Sequence, residues 1–508
     1  MTAANAEIVV GLSGVRQNAA VAVTVNGHVR AVCEQERVTR VRNAALVPGT
    51  LPMEALETAL QAAGSPSTPI ATFAAAESAI AFPAGANAVR LDHHRAHAAT
   101  AHYLSGASET AILVCDRHSA EPDTRWTGSA GRLTRLEWPS AAHGFAPLFS
   151  DCASLFGFPP GQEHELEALA RLDTGADADR FAEVIAYRDG ALSVSPGWRQ
   201  VVQEWLAGGT QLRHRARVAA AFQHHLGGML VQMAADLRQR TGARHLCVGG
   251  GLFFNTYFNT VLRQSGTFDE VFVPPNPGNA GTAVGAALDV AGDGRATGLM
   301  SPFLGPEFDT EAIKRTLDNC KLSYECLDEG DAIATAVRAL ARGHLVGWFQ
   351  GRMEWGHRAL GHRSILASPL SPYVLDNLNV FLKHRQRHRA YGVSVPVERA
   401  AECFDGPPAS PYMEFEFTPK DPDRLRPIMP EGTKAIRVQT IPATELGGSP
   451  RTRRLHEQFG EVTGLPVLVN TSFNGFSEPM VCSPRDAIRV FFGTGLDLLV
   501  MDRFVIRK

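Results

Sequence analysis

The dipeptide Asn26-Gly27 stands between two apolar runs, AAVAVTV and HVRAVCEQE, and it narrows the fold more than any other local feature of the chain. Both residue types accept the left-handed backbone that a tight two-residue hairpin requires. With IVVGLSG ahead of it, the first fifty residues are predicted as strand, Gly/Ser turn, strand, strand. Residues 51–63 (LPMEALETALQAA) carry helical periodicity. ILVCD at 112–116 reads as a short buried strand ending on a carboxylate, and a helical tract spans roughly 215–240. HLCVGGG at 245–251 is strand into glycine turn, and NAGTAVGAALDVA, from 279, is a turn opening a small-residue helix. Strand–glycine turn–helix units of this kind predict an α/β nucleotide-binding domain with its ligand at the carboxyl ends of the strands.

At 508 residues the chain exceeds what one core covers, so two domains are expected. Composition shifts to Gly, Pro and Asp from about 291 to 311, which places the boundary there: 1–300 and 301–508. The last residues, LDLLVMDRFVIRK, read as a closing strand. A net charge of −3, from 49 basic and 52 acidic residues, gives no electrostatic reason for a nucleic-acid or membrane partner. No apolar run reaches the ~20 residues of a membrane span, and the N-terminus has no signal-peptide pattern. The eight cysteines form no CxxC pair and are expected to be reduced and packed, as in a cytoplasmic protein.

Two constellations carry chemistry. His93 and His97 are four apart in a helical stretch, so both imidazoles face one side and can share a cation, with Asp116 at the end of the ILVCD strand as a third ligand. Such an N/O set favours iron, zinc or manganese. His94 would point elsewhere, toward substrate. The bland reading is a His-rich helix with solvated rings. Gly249-Gly250-Gly251, followed by Asn255 and Asn259, lets backbone approach a phosphate or serves only as a packing turn. The segment Pro277 to Thr282, with Asn279 at its centre, repeats the idea.

The second constellation is cationic. QGRMEWGHRALGHRSIL (350–366) supplies Arg352, Arg358 and Arg363. Lys383, Arg385, Arg387 and Arg389 follow, then Arg437 in AIRVQT, and Asn470, Thr471, Ser472 and Asn474 in LPVLVNTSFNG. Guanidinium groups clamp phosphate or carboxylate in pairs of hydrogen bonds, and hydroxyls and amides complete such sites. For Arg352, Arg363 and Arg387 the alternative is a surface salt bridge.

In this order, the QGRMEWGHRALGHRSIL segment, the KxR run, the RVQT strand and LPVLVNTSFN with its trailing EPMVCSP resemble the O-carbamoyltransferase family of antibiotic and nodulation-factor pathways, over nearly the whole chain. The resemblance implies an actin/hexokinase-like N-terminal domain, similar to the tRNA threonylcarbamoyl transferase, and a YrdC-like C-terminal domain. It further implies ATP with Mg²⁺ and carbamoyl phosphate as substrates and carbamoyl adenylate as intermediate. The acceptor would be a small-molecule hydroxyl or amine, and the protein could be a homodimer. Arg358, Lys383, Arg389, Arg437 and Ser472 would hold the adenylate and carbamoyl phosphate, with Arg385, Asn470, Thr471 and Asn474 beside them. Lys383, Arg358 and His94 would be the catalytic groups. Gly249, Gly250, Gly251, Asn255 and Asn279 would contact nucleotide in the N-terminal domain. His93, His97 and Asp116 would bind Fe²⁺ or another divalent metal.

Against that resemblance, the departures cluster in the N-terminal domain. Gln17 stands where the family has a histidine, and glutamine cannot take a proton near neutral pH. Asn279 replaces an aspartate ligand, Asp116-Arg117-His118-Ser119 replaces a DGxGE-like segment, and Glu165 replaces a lysine. His94, His118 or Glu121 could stand in for the missing base. In the C-terminal domain only His357, for proline, and Gln386, for glutamate, depart. The readings these residues leave open are a carbamoyltransferase, an adenylating enzyme with another substrate or acceptor, and a silent nucleotide-binding homologue.

Overall fold

This computed structural model describes residues 6–77, 80–119, 121–139, 143–292, 301–443 and 449–508. The Asn26-Gly27 turn forms as expected. It joins β2 (Ala20–Val25) to β3 (His28–Glu34) with Val25 opposite His28, and both turn residues have positive φ (52° and 77°). Together with β1 (Ile8–Ser13), β4 (Thr72–Ala75) and β5 (Ala88–Arg90) they make a five-stranded sheet ordered β3-β2-β1-β4-β5. β1 pairs antiparallel with β2 and parallel with β4.

The same plan then recurs. β6 (Glu109–Cys115), β7 (Asp123–Ser129) and β8 (Arg132–Arg135) form an antiparallel meander. After a small hairpin of β9 (Ile185–Arg188) and β10 (Ala191–Val194), β11 (His245–Gly249) and β12 (Glu270–Phe272) add parallel strands on the other side of β6. The order β8-β7-β6-β11-β12 repeats the first sheet strand for strand. A duplicated mixed sheet of this order is the architecture of the actin/hexokinase-like class, and the fold is α/β.

Between the two sheets lie the helices His93–Ser105 and Thr282–Ala291. Their contact faces are small: Ala98, Ala99, Ala101, Ala283, Val284 and Ala287 are buried with Ala20 and Ala22 of one sheet and Ile112 and Val114 of the other. Small side chains let the two helices and two sheets approach closely, which explains the alanine-rich runs AHAATAH and AGTAVGAA. The packing fixes the first turn of His93–Ser105 beside the end of β6. The tract predicted at 215–240 is the helix Leu212–Thr241, which packs against the outer face of the second sheet through residues such as Phe222, Leu226 and Leu230.

The remaining chain builds one ten-stranded mixed sheet. Its centre is formed by Val346–Phe349, Arg363–Ala367, Leu468–Ser472, Gly392–Pro396 and Ile436–Ile441. The C-terminus is two strands, Leu498–Met501 and Phe504–Arg507, rather than the single closing strand expected, because Asp502 takes the positive φ (51°) of a tight turn. The predicted boundary between 300 and 301 adjoins residues 293–300, which lie outside the described residues. Beyond them a strap crosses between the sheets: Val32 N–H donates to Leu304 O at 3.0 Å, Gly305 N–H to Met353 O at 2.8 Å, and Trp355 N–H to Pro302 O at 2.8 Å. Arg352 closes the strap by donating to Leu304 O and Gly305 O. No helix among the described residues is long and apolar enough to cross a membrane. All eight cysteines are free, and five of them are buried.

Candidate active site

A chamber of about 620 Å³ opens between the actin-like sheets and the ten-stranded sheet, and residues of both constellations line it. Asp116, Gly251, Asn255 and Asn279 come from one side. Arg358, Lys383, Arg385, Arg389, Arg437, Asn470, Thr471, Ser472 and Asn474 come from the other. Parts of both sites read separately from the sequence thus face one space, although His93, which contacts Asp116, and His97 are not among its lining residues.

On the first wall, Asp92 caps the helix His93–Ser105 by accepting from Arg95 N–H at 3.0 Å. This sets His93 and His97 one turn apart. His93 Nε2 lies 3.2 Å from Asp116 Oδ2 and 3.3 Å from His97 Nε2. The three ligand atoms fall within 4.8 Å of one another, close enough to share a divalent ion. Burial opposes ionisation of Asp116, yet the His93 hydrogen bond and the neighbouring imidazoles hold it well below the usual carboxylate range. Burial and His93 push His97 well below the usual imidazole value. A neutral His97 beside an ionised Asp116 is the protonation pattern a metal needs. Asn279 lines the same chamber as Asp116, and both its amide atoms are buried without a hydrogen-bond partner among the described residues.

The triple glycine serves this wall. Gly250 has φ +99°, and a Cβ there would stand 2.1 Å from Cys115 O. A Cβ on Gly249 would press on His97 at 3.2 Å. Gly251 N–H donates to Asp116 Oδ1 at 3.2 Å. Gly249 and Gly250 therefore bring β11 against β6 and do not line the chamber, while Gly251 does. Asn255 caps the next helix by accepting from Tyr257 N–H at 3.0 Å, and its amide donates to Gln223. Asn259 is spent on backbone carbonyls.

His94 is misplaced by the sequence reading. Its side chain is buried and absent from the chamber lining, and Nδ1 is 2.8 Å from Thr124 Oγ1. Burial pushes its pKa down to about 4. A ring so enclosed cannot reach a substrate in the chamber. Glu121 is also elsewhere, paired with Arg135. His118 lines the chamber and contacts Gln17, with 3.0 Å between their Nε2 atoms. Arg117 Nε donates to the same His118 nitrogen at 3.2 Å, and His118 N–H donates to Asp116 Oδ2 at 2.9 Å.

On the second wall a one-turn π-helix, Asn377–Leu382, ends directly before Lys383. Its ammonium donates to Ser472 O at 2.6 Å, Asn474 O at 2.8 Å and Asn474 Oδ1 at 2.5 Å. Burial and Arg385 push Lys383 well below the usual lysine value. Arg385 donates to Asn379 and lies over the Tyr391 ring at 4.3 Å. Asn470 donates to Gln439 Oε1 at 2.9 Å, leaving its Oδ1 without a partner. Arg358 donates to Phe254 O, and Arg437 Nη1 stands 3.9 Å from Glu167 Oε1. Burial lowers Arg358 and Arg389 to about 10 each, and burial with crowding by Arg358 and Arg171 holds Arg437 well below the usual arginine value. Burial opposes ionisation of Glu167, but Arg171 and Arg437 hold it at about 2. Too few carboxylates stand among these cations, so the wall attracts anions.

Three other arginines separate cleanly. Arg387 pairs with Asp376 at the surface. Arg352 holds the strap. Arg363 is fully buried and donates to the carbonyls of Gln350, His362, Gly351 and Cys482, so it is a structural core of its loop. Glu165, the residue at the family's lysine position, pairs with Arg389 across the chamber. Sequence reasoning missed Arg171, which donates to Glu167, Thr256 and Glu416 and ties the two walls together. The i,i+4 spacing of Glu167 and Arg171 is the one signal that could have found it.

Comparison with known proteins agrees with this geometry. A family model described as carbamoyltransferase N-terminus matches residues 84–288, and one described as carbamoyltransferase C-terminus matches 337–508. Nodulation protein NolO of Bradyrhizobium diazoefficiens is 30% identical over 438 residues, covering 82% of this chain and 79% of that protein. The chain belongs to the carbamoyltransferase family. An uncharacterized protein of Synechocystis is 29% identical over 470 residues, 82% of this chain and 76% of the relative. Among solved structures, full-length HypF in its phosphate- and nucleotide-bound form aligns at 14% identity and a TM-score of 0.41, over 57% of this chain and 56% of that one. The carbamoyltransferase models fall on both walls of the chamber, since the first contains Asp116 to Asn279 and the second Arg358 to Asn474.

Proposed function

We propose that this carbamoyltransferase-family chain makes carbamoyl adenylate from ATP and carbamoyl phosphate on the cationic wall, then transfers the carbamoyl group to a hydroxyl or amine of a small molecule on the opposite wall. The observation that carries this reading is the shared chamber, in which Lys383, Arg358 and Arg437 face the same volume as Asp116 and His118. Cleavage of carbamoyl phosphate by water gives carbamate and inorganic phosphate. A carbamate oxygen then attacks the α-phosphorus of ATP and expels pyrophosphate. The acceptor's hydroxyl or amine attacks the carbamoyl carbon, releasing AMP and a proton.

Each step develops charge on phosphate oxygens. Arg358, Arg389, Arg437 and Lys383 are already aimed at the chamber, and fixed cations in a partly dry site stabilise such charge more than water does. Asn470 Oδ1, Thr471 and Ser472 supply neutral contacts for the carbamoyl amide and ribose. Mg²⁺ would accompany the ATP. A divalent ion of the Fe²⁺ class, held by His93, His97 and Asp116 with Asn279 nearby, would supply Lewis acidity at the transfer end.

The test is pyrophosphate release from ATP with and without carbamoyl phosphate, with metal analysis of the same sample. Release that depends on carbamoyl phosphate supports the reading. Release driven by another carboxylate instead favours an adenylating enzyme of different substrate. ATP binding with no release under any condition refutes catalysis here and leaves a nucleotide-binding homologue.

A further inference from the structure

The peptide that precedes His357 and Arg358 is held from the opposite wall. Gly356 N–H donates to Glu34 Oε1 at 2.9 Å, and Gly356 O accepts from Arg37 Nη2 at 2.9 Å. Glu34 and Arg37 are themselves paired at 2.6 Å, and both are almost fully buried. Glu34 ends β3 and Arg37 lies on the short helix Gln35–Thr39 that follows, so the clamp belongs to the first sheet and the loop it grips to the other half of the chain. Glu34 Oε1 also lies 3.4 Å from Asn276 Nδ2, in the segment leading to Asn279. Gly356 has φ +106°, and a Cβ there would stand 2.7 Å from Pro275 O. The backbone at this point is thus fixed by one carboxylate, one guanidinium and a close approach that only glycine permits.

An ion pair buried at a domain junction is weak evidence of stabilisation, because desolvation offsets most of its attraction. It is better evidence of geometry being fixed. Both backbone polar groups of one residue are satisfied by two side chains that are locked to each other, two residues before an arginine that lines the chamber. The neighbouring backbone supports the same loop from within: Glu354 Oε1 accepts from Leu360, His362 and Arg363 N–H. Glu354 shapes the loop, whereas Glu34 and Arg37 set where the loop stands relative to the first sheet.

We infer that Glu34 and Arg37 are positioning residues for Arg358, so that the adenylating wall works only while the first sheet holds Gly356. This rests on the adenylation reading above. The experiment compares Glu34→Gln, Arg358→Ala and the double variant in the full chain, reading carbamoyl-phosphate-dependent pyrophosphate release and ATP affinity by equilibrium binding. Glu34→Gln is expected to lower release at least tenfold and to move the same parameter, kcat or KM, that Arg358→Ala moves. The double variant is expected within twofold of Arg358→Ala, since a residue acting through Arg358 has nothing left to position. If the two losses multiply, or if Glu34→Gln works at the unaltered rate, the inference is overturned. Where Arg358→Ala leaves no turnover, the same comparison is made on ATP affinity. Should Glu34→Gln fail to fold, Arg37→Lys keeps a cation beside Glu34 but loses the guanidinium fork, and a three- to tenfold loss is expected. An unaltered rate there overturns the inference equally. Hydrogen exchange judges the clamp without turnover: Glu34→Ala should speed exchange of residues 353–363 at least tenfold, and unchanged exchange refutes the clamp even if the unaltered chain releases no pyrophosphate. That last result would sink the adenylation reading separately.

Discussion

Replacing Lys383 by methionine separates a ligand-binding cation from a structural peg. The ammonium is buried, and its three hydrogen-bond acceptors, Ser472 O, Asn474 O and Asn474 Oδ1, are all neutral. No carboxylate lies within 4 Å of it among the salt bridges of the described residues. Taking an ammonium out of water costs several kcal/mol, and each charge-assisted hydrogen bond returns about 1.5–3 kcal/mol; the lowered pKa says that desolvation outweighs the return. Ser472 and Asn474 line the chamber, where water can replace the ammonium. Near pH 7 Lys383→Met should therefore leave the fold no less stable than the unaltered protein. An anionic ligand group 4 Å from the ammonium, at an effective dielectric of about 20, gains about 4 kcal/mol. That corresponds to a loss of up to about a thousandfold in affinity for phosphate ligands. The sign of the pH effect follows from the lowered pKa. The folded state releases the proton before the unfolded chain does, so the unaltered protein gains stability as pH rises from the folded value toward the ordinary lysine value, and the variant lacks this gain. Urea unfolding between pH 7 and 10 and the KM values for ATP and carbamoyl phosphate measure both sides. A loss of more than 3 kcal/mol with unchanged KM values would refute the reasoning and make Lys383 a peg.

Other outcomes follow from single contacts. His97→Ala removes one of three converging ligands, and metal retained through dialysis should fall at least tenfold, as judged by elemental analysis. Asn279→Asp should act in the opposite direction in the same assay, because it adds charge where two amide atoms stand buried and unpartnered. Glu165→Gln leaves the half-buried Arg389 facing the chamber without its carboxylate and should cost about 1 kcal/mol in urea unfolding. Burial pushes the Glu414 carboxyl up to about 7, so the folded state holds a proton that the unfolded chain has lost. Stability from this group is present below the ordinary glutamate value and fades as pH rises toward 7, by about 3 kcal/mol in all. Glu414→Gln should flatten that part of the stability profile.

The duplicated sheet was legible only in its first half. Asn26-Gly27 announces a hairpin because the turn is a local event, decided by two residues and their φ angles. The repeat of the strand order in β6 to β12 carries no comparable sign, since more than a hundred residues separate β8 from β11 in sequence. The long helix, the strand into Gly249 and the small-residue helix from Thr282 were legible because each is periodic or punctuated by glycine. The strap around Leu304 was not, as its hydrogen bond from Val32 joins β3 to a loop that follows it by well over two hundred residues.

The site divides along the same line, and His94 shows why. In the sequence His93, His94 and His97 are equivalent ring nitrogens, and only their phase around the helix distinguishes them. Phase put His93 and His97 on one side, and that follows from 3.6 residues per turn. What the third ring meets depends on β7, which brings Thr124 to it, and strand pairing of β6 with β7 is invisible to helical phase. His118 has the converse history: it follows the Asp116 strand in a loop, where no periodicity speaks, yet chain connectivity keeps it within two residues of a chamber-lining carboxylate. The cationic wall was legible as chemistry because so many arginines in a chain of near-neutral charge need an anionic partner. Which arginines face the chamber was not, because Arg363 and Arg358 sit five residues apart in one loop and differ only in what the loop encloses. Arg363 points inward to backbone carbonyls, and Arg358 points outward because Gly356 turns the backbone between Glu34 and Arg37. The orientation that makes Arg358 useful is therefore set by residues more than three hundred positions earlier, a dependence that no local reading of either segment contains.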